Sequence, residues 1–219
     1  MNPLPGSPRL LKGAIVGLDP FNPVASIIPF QYNPENLDRT VAATAVSAQR
    51  NQDEVLRIGG PPRETIGAEV EFSAIDDLDK GGAVASALGL HPVLASLEML
   101  LYPKSALMIA NEVLAQIGII EIIPPSAPLT FFIWGLKRVV PIRLTQIQIH
   151  ERAFDSNLNP IRATVNLTME VLTYRDLGLA SVGGAAFLAH QVLKEAMATI
   201  HGVGAVTGAG SVSVGASFG

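Results

Sequence analysis

Two stretches of the chain alternate between apolar and polar residues with the two-residue period of a β-strand that buries one face. The apolar positions of the first are Ile66, Ala68, Val70, Phe72 and Ala74, and those of the second are Ile161, Ala163, Val165, Leu167, Met169 and Val171. The intervening positions carry mainly carboxylate, amide and hydroxyl side chains. Both stretches are therefore predicted to be strands with one face in the core and the other in water.

The segment 138–153 also has the composition of a strand, but its alternation changes phase. Ile142 and Leu144 fall on one face, whereas Ile147 and Ile149 fall on the other. The change indicates either a β-bulge around position 145 or a strand that is covered on both faces. A turn sequence, Asp-Ser-Asn-Leu-Asn-Pro, separates this segment from the second alternating stretch, so the two are predicted to pair as one long antiparallel hairpin.

Three shorter strands are predicted from local composition: Leu10–Leu18, Ser26–Tyr32 and Leu129–Trp134. The third is rich in aromatic and β-branched residues, and we expect the tryptophan to pack at its end. The proline-rich start, Met1–Pro8, predicts an extended arm. The segment Asp38–Pro62 has few apolar residues and is predicted to be an irregular or mobile loop without a core element.

Three segments have the period or composition of helices. From His91 to Tyr102 apolar residues recur every three or four positions, and a proline lies in the first turn, where its missing N–H is tolerated. Ala106–Ile117 and the Ala-, Leu- and Met-rich segment Leu179–Ile200 are also predicted to be helical. The uncharged segment Gly202–Gly219 has the composition of a flexible, slightly apolar linker. These elements together predict a β-rich α+β fold.

The length of 219 residues is enough for one domain with a complete core and a short appendage. We expect residues 1–175 to form a β domain with an N-terminal arm, and residues 176–219 to form a C-terminal helix and a glycine-rich tail. Hydrophobic residues make up 48% of the chain and charged residues 16%, well below the roughly 25% charged residues of an average soluble protein. This balance indicates a subunit that buries part of its surface against other chains.

Charge and cysteine content exclude several functional classes. A net charge of −4 argues against a protein that neutralises nucleic-acid phosphates. The absence of cysteine excludes disulfides, thiol nucleophiles and cysteine-ligated metals. The N-terminus lacks the features of a Sec signal peptide, and no apolar stretch reaches the roughly 20 residues of a membrane-spanning helix. We therefore expect a soluble protein, made in the cytoplasm, that binds no nucleic acid and inserts into no membrane.

No arrangement of residues predicts catalysis. The histidines are scattered and lack a second ligand at helical spacing; they are His91, His150, His190 and His201. The acidic turn formed by Asp76, Asp77 and Asp79 lacks the glycine and terminal glutamate of an EF-hand loop. Glu69 and Glu71 share a strand face, which we interpret as a solvated surface rather than a pair of catalytic carboxylates. The glycines at 202–210 follow a helix instead of opening one, unlike a phosphate-binding loop. We expect no enzymatic activity, no cofactor and no metal.

Three local patterns occur in a specific order and spacing. They are Ile28-Pro29-Phe30-Gln31-Tyr32-Asn33-Pro34-Glu35, then Leu129-Thr130-Phe131-Phe132-Ile133-Trp134-Gly135, then Phe154 through Leu158-Asn159-Pro160-Ile161-Arg162-Ala163. Together they resemble the contractile injection system tube protein family, the small tube-initiator or adaptor proteins of phage-tail-like particles. The resemblance runs from about Lys12 to Leu172 and so covers most of the chain.

The resemblance implies a tail-tube-like β-barrel or two-sheet sandwich with a flanking helix, assembled as a homo-hexameric ring around a channel. It also implies a place at the baseplate, between the inner tube protein and the spike or hub protein, in contact with other baseplate subunits. The positions that match the family's motifs are Phe30, Tyr32, Asn33, Pro34, Glu35, Trp134, Gly135, Asn159, Pro160, Ile161, Arg162 and Ala163. The resemblance implies that they act in folding and packing, with no catalytic role.

The C-terminus departs from that family, many members of which carry a LysM-like peptidoglycan-recognition domain. A helix and a glycine-rich tail stand here instead, which favours docking to a neighbouring baseplate protein over binding to a cell wall. Two alternatives stay open. One is a major inner-tube subunit, which stacks into long polymers by itself. The other is a wall- or membrane-associated binding module that uses the C-terminal helix and tail.

Overall fold

Every neighbouring pair of strands in the structure is antiparallel. The structure, a computed structural model, describes residues 11–18, 27–44, 58–102, 104–116 and 127–208. The strands are β1 Ala14–Leu18, β2 Ile27–Pro29, β3 Leu37–Ala42, β4 Arg63–Ser73, β5 Leu129–Ile133, β6 Val139–Phe154 and β7 Pro160–Val171. The helices are α1 Ile75–Asp79, α2 Ala83–Leu88, α3 His91–Glu98, α4 Ser105–Gln116, α5 Tyr174–Leu177 and α6 Val182–Gly208.

The strands form one seven-stranded sheet in the order β2-β1-β5-β6-β7-β4-β3. The two alternating stretches of the sequence are β4 and β7, which pair with each other from Thr65 opposite Glu170 to Ser73 opposite Arg162. Their apolar positions are buried in a single core cluster with residues of β1, β2, β5, β6 and α3. The predicted β-rich α+β fold, with a long hairpin and a C-terminal helix, is therefore confirmed.

The long hairpin consists of β6, with 16 residues, and β7, with 12. The predicted phase change in β6 is a β-bulge, because the register with β7 shifts between Leu144 and Gln146. The hydroxyl of Thr145, the extra residue, donates a hydrogen bond to the carbonyl oxygen of Thr168 at 3.0 Å. The bulge restores the inner face for the later residues, because Ile147 and Ile149 lie opposite the buried residues Leu167 and Val165 and pack half-buried against the core.

The sheet curls, so that the chain leaving edge strand β2 reaches the end of β4. The side-chain amide of Gln31 donates to the carbonyl oxygen of Ser73 at 2.7 Å, and its carbonyl oxygen accepts from the N–H of Ser73 at 2.6 Å. One glutamine thus replaces both hydrogen bonds of a strand partner along the part of β4 that β3 does not cover. Ile28 and Phe30 consequently share one core with Val70 and Phe72.

Aromatic rings fill the core beside β5. Phe132 lies between Phe30, with ring centroids 6.3 Å apart, and Trp134, with centroids 6.0 Å apart and the planes within 11° of parallel. The tryptophan packs at the end of β5 as expected, although it is only half-buried. The turn that follows needs Gly135 in the left-handed region, at φ 69°, and it is closed by a hydrogen bond from Trp134 N–H to the Arg138 carbonyl at 2.7 Å.

Gly13 is needed because these rings lie directly against the backbone. A Cβ at this position would approach Phe30 Cδ2 to 2.7 Å and Trp134 Cε3 to 2.8 Å. We expect Gly13→Ala to lower the free energy of unfolding by about 1–2 kcal/mol, because the rings must move out of a packed arrangement. Thermal denaturation followed by circular dichroism measures the loss. Gly67→Ala is the control, since its Cβ meets only Asp38 Cβ at an ordinary 3.6 Å; equal losses for both variants contradict the argument.

One predicted loop is wrong in part, because β3 lies within its first residues. Leu37–Ala42 pairs with Arg63–Ala68 of β4 over its full length. Leu37 is half-buried and the other residues of β3 are exposed. An edge strand that is held by backbone hydrogen bonds need not bury a side-chain face, so no alternation of apolar residues marks it in the sequence. Only its pairing with β4 in the structure identifies it.

The helices largely agree with the sequence patterns. Helices α3 and α4 lie within or close to the two predicted segments, and Pro92 is in the first turn of α3. The acidic turn is a single helical turn, α1, and the unpredicted α2 follows it. The Met1–Pro8 arm lies outside the described residues.

The C-terminal helix is longer than predicted, since α6 continues through Gly202 and Gly204 to Gly208. The flexible-linker interpretation is therefore wrong for 202–208, and the remaining tail lies outside the described residues. Extending an existing helix adds one hydrogen bond per residue fixed. A glycine lowers helix stability by roughly 1 kcal/mol relative to alanine without ending the helix.

Candidate assembly surfaces

The β6–β7 hairpin leaves most of one β6 edge open. Strand β5 pairs with β6 only from Val139 to Ile142. From Arg143 to Phe154, β6 pairs with β7 on one side and with no strand on the other, within the part of the chain that the structure describes. This stretch is called the β6 open edge below. It presents a row of unpaired backbone donors and acceptors, which is the template for adding a further strand.

Strand β3 forms a second open edge at the far side of the sheet. It pairs with β4 and has no other neighbour among the described strands. Its exposed residues include both signs of charge, Asp38 and Arg39. The β6 open edge faces the side on which β5 lies, and the open edge of β3 faces the opposite way, so one copy can offer β3 while another copy offers the β6 open edge.

The hairpin turn is held rigidly by Asp155 and Asn159. One carboxylate oxygen of Asp155 accepts from the N–H groups of Asn157 and Asn159 at 2.7 and 2.8 Å, and the other accepts from the Asn159 amide at 2.8 Å. The hydrogen bond from the side-chain amide of Asn159, and then the hydrogen bond from its backbone N–H, hold the pKa of Asp155 below its ordinary 3.8. The Asn159 amide also donates to the carbonyl oxygen of Ala87 in α2 at 3.2 Å.

The motif residues after Asn159 connect the hairpin to the helices. The carbonyl oxygen of buried Pro160 accepts from Leu90 N–H at 2.9 Å, and that of half-buried Ile161 accepts from Ala74 N–H at 2.8 Å. Ala163 is buried, whereas Arg162 is exposed and lies opposite Arg152 in β6. The structure places these positions against α2 and α3, and Ala163 shares the core cluster with Phe30 and Phe132 of the other two motifs.

The first motif links the chain segment before β1 to the loop after β2. The Asn33 side chain accepts from Gly13 N–H at 2.9 Å and donates to the Leu11 carbonyl at 2.8 Å. Phe30 is buried in the core, while Tyr32 and Glu35 are exposed and Pro34 is half-buried.

A polar groove with a volume of about 860 Å³ lies on the outer face of the sheet and is lined in part by Tyr32, Pro34 and Glu35. Its carboxylates are Glu35, Asp38, Glu69 and Glu71. Within the described ranges no three His, Cys, Asp or Glu side chains gather closely enough to hold a metal ion. Glu69 and Glu71 are both exposed on the outer face of β4, as the alternation predicted.

An ion-pair network that the sequence did not predict attaches α6 to the sheet. Glu64 in β4 is only 5% exposed. Its carboxylate contacts Lys194 Nζ of α6 at 2.9 Å and Arg39 Nε of β3 at 3.6 Å. Burial, and then the nearby Arg39, lower the pKa of Arg138, and Glu64 offsets part of that shift. Three cations thus share one buried carboxylate.

His190 of α6 lies beside this network and is 7% exposed. Neither ring nitrogen makes a hydrogen bond of good geometry within the described chain, although the Lys137 backbone lies close enough to act on the ring. Burial lowers the pKa of His190 below 6.5, and Lys194 and Arg138 lower it further, whereas Glu64 and the Lys137 backbone raise it. The imidazole is therefore neutral at pH 7.

Protonation of His190 is expected to make stability depend on pH. The stability that the neutral ring confers is complete above the ordinary pKa of 6.5 and is lost as the pH falls through that value toward the lowered pKa of the folded state. The unfolded chain takes up the proton first. Melting temperatures between about pH 8 and about pH 5 should fall more steeply for the wild type than for His190→Leu. His150→Gln, at an exposed position, should follow the wild type; parallel profiles for wild type and His190→Leu contradict the argument.

A small apolar groove lies on the other side of His190, between α6 and the turn before β6. It has a volume of about 260 Å³ and is called the α6 groove; it is lined by Leu136, Lys137, Val139, Ala186, Ala189, His190 and Leu193. The leucine at position 136 is 88% exposed. Among the described helices, none combines the length and apolarity needed to cross a membrane.

Comparisons with known proteins give distant structural matches only. No protein-family model and no curated protein matches the chain. A chain from the virion of a native gene transfer agent particle matches at a TM-score of 0.26 and 11% identity, over 73% of this chain and 90% of that chain. A chain from the tail of an empty gene transfer agent particle, computed with helical refinement and C6 symmetry, matches at a TM-score of 0.27 and 12% identity, also over 73% of this chain and 90% of that chain. Superpositions at these scores carry no argument about fold or function.

Proposed function

We propose that this protein is a structural subunit of a phage-tail-like particle or contractile injection system. In this proposal it forms a ring, hexameric as the motif resemblance implies, that adapts the inner tube to the baseplate spike. The observation that carries the proposal is the pair of open sheet edges, β3 and the β6 open edge, on a chain of low charge content. A subunit with two different open edges can bind the next copy head to tail, and such contacts close into a ring when the rotation matches.

The ring leaves its top and bottom faces for other components. We infer that these faces bind the inner tube protein, the spike or hub protein and other baseplate subunits. The role is mechanical, since the ring holds tube to spike, transmits the thrust of contraction and leaves a passage for cargo. The proposal includes no catalytic step.

The motif residues then act as determinants of folding and packing. In this proposal Phe30, Trp134 and Gly135 shape the aromatic core, Asn33 secures the chain before β1, and Asn159 secures the hairpin turn. Residues 1–175 form the ring-building domain. Residues 176–219 add a helix and a tail that serve contacts outside the sheet.

Electron microscopy of the purified chain, combined with hydrogen exchange, tests the proposal. We expect isolated rings, and we expect slower exchange of backbone amides in the β6 open edge as concentration rises and rings form. Amides of β7, which are bonded in every state, serve as the internal reference. A chain that stays monomeric at all concentrations, or rings without protection at the β6 open edge, contradicts it. Long tubes instead of rings favour the major inner-tube subunit.

A pair of proline substitutions separates edge pairing from folding. Neighbouring residues of a strand point their N–H groups to opposite edges, so His150→Pro and Glu151→Pro, at two exposed positions of β6, remove one amide from the β7 ladder and one from the open edge. We expect the variant that removes an amide of the open edge to keep its melting temperature within a few degrees and to lose assembly, because proline is tolerated where no hydrogen bond is made. The variant that removes an amide of the β7 ladder should have a much lower melting temperature. If both variants fold and assemble, the β6 open edge is not an interface.

A further inference from the structure

Helix α4 presents apolar side chains to solvent within the part of the chain that the structure describes. None of its described side chains is fully buried, and Met108, Ile109 and Val113 are 52%, 64% and 52% exposed. Asn111 and Leu114, on another face of the helix, are half-buried. An isolated helix of 12 residues is marginal in water, since short helices depend on packing for stability, so a surface that covers the exposed face stabilises it further.

The exposed face of α4 combines apolar side chains with a single negative charge. Ile109, Glu112 and Val113 are separated by three and four positions and so lie on one face. Glu112 is the only charged residue between the two ends of α4. A matching partner surface should be apolar, should be narrow enough for two side chains, and should carry a cation at its rim.

The α6 groove has these three properties. Its walls are aliphatic and its volume of about 260 Å³ suits one or two side chains. Lys137 stands on its rim and is exposed. Behind it Arg39 and Lys194 pair with the single carboxylate of Glu64, and Arg138 lies nearby, so this corner of an acidic protein carries an excess of positive charge.

We propose that α4 of one copy docks in the α6 groove of a second copy, with Ile109 and Val113 in the groove and Glu112 paired with Lys137. Within one chain both surfaces are exposed, so the contact is between copies. Each copy carries one helix and one groove, which makes the contact head to tail and compatible with ring closure. The inference rests on the proposed function for the assembly itself, and it adds a helix contact separate from the sheet edges.

Charge reversal tests the pairing directly. Lys137→Glu and Glu112→Lys should each weaken self-association of the full-length chain by about tenfold, measured by sedimentation velocity over a concentration series. Combining both changes in one chain should restore the wild-type association. Lys80→Glu and Glu98→Lys, at exposed positions outside both surfaces, are the matched controls and should have little effect. If both single variants weaken self-association and the double variant does not restore it, the pairing of Glu112 with Lys137 is wrong.

The apolar part of the contact has its own variant. Ile109→Asp should reduce association more than either charge reversal, whereas Val84→Asp, at a 62% exposed position of α2, should not. Melting temperatures within a few degrees of the wild type show that each variant still folds. Unchanged association of Ile109→Asp overturns the proposal. The proposal is also wrong if the wild type does not self-associate but pellets with phosphatidylcholine–phosphatidylglycerol vesicles, and if Ile109→Asp abolishes that pelleting. The exposed face of α4 is then assigned to membrane binding.

Failure of this inference can be told apart from failure of the proposed function. If rings form with protected amides at the β6 open edge while every α4 and groove variant associates normally, only the helix contact is wrong. If the wild-type chain remains monomeric at all concentrations, the ring proposal is wrong and the helix contact with it. If association depends on the α4 variants but no ring forms, the helix contact holds and the ring does not.

Discussion

Phe132→Ala is expected to lower the free energy of unfolding by about 3–5 kcal/mol, the cost of removing a buried aromatic ring and leaving a cavity. Phe132 is 0% exposed. It packs against the rings of Phe30 and Trp134, and its strand neighbours are the buried residues Ile15 and Val140. Ile15 and Val140 lie in β1 and β6, and Phe30 and Trp134 directly follow β2 and β5, so the surroundings cannot collapse without moving the sheet. Chemical denaturation at equilibrium measures the loss.

Two further variants make this prediction specific. Trp134→Ala should cost about 2 kcal/mol, less than a fully buried aromatic, because its ring is only half-buried at the end of β5. Leu136→Ala, at an 88% exposed position, should change stability by less than about 0.5 kcal/mol. A Phe132→Ala loss no larger than the Leu136→Ala loss means that the aromatic cluster does not support the core.

The parts of the fold that the sequence predicted are those where a repeated pattern reports burial. The alternation of Val70 with Glu71 in β4, and of Val165 with Asn166 in β7, continues long enough to define the strand and its inner face. The bulge near Thr145 was also detectable, because it reverses that pattern inside one strand. A period extending over many residues is less sensitive to any single substitution.

Elements stabilised by distant partners could not be predicted in this way. Strand β3 is held by its register with β4 and buries almost nothing. Gln31 looks like an ordinary loop residue until the curl of the sheet brings Ser73, 42 positions away, within hydrogen-bond distance. Lys194 and Glu64 are 130 positions apart. No local spacing encodes contacts of this kind, so the structure was needed to find them.

The same limit applies to the assembly surfaces. Low charge content indicated buried contacts between chains, and the long hairpin indicated a strand able to lie along a neighbour. Which edge is open depends on the length of β5, which pairs with β6 only up to Ile142. The groove beside His190 depends on how α6 lies against the turn before β6, which in turn depends on the Glu64 network. The carboxylate that fixes α6 therefore also shapes the proposed docking surface.

Glu64→Gln should consequently destabilise the fold by about 2–4 kcal/mol and loosen α6. Removing the charge leaves Lys194 facing Arg39, with Arg138 near both, and breaking one partner of a buried pair is costly because the remaining charge is uncompensated. The two paired cations keep 32% and 39% of their side-chain exposure, so water lowers the cost below that of a fully buried pair. Increased hydrogen exchange in the turns of α6 around Lys194 should accompany the loss.

The coupling between Glu64 and Lys194 is measured by a double-mutant cycle. Lys194→Met should cost less than Glu64→Gln, because Arg39 still neutralises the carboxylate at 3.6 Å. The double variant should lose less than the sum of the two single losses, since each change removes the same contact. If the losses are additive, the ion pair at 2.9 Å does not hold α6 to the sheet, and the helix is attached through its apolar contacts, such as that of Phe187 with the core. Gly183, where a Cβ would approach Leu129 Cδ1 of β5 to 3.3 Å, is then a position at which to test that attachment.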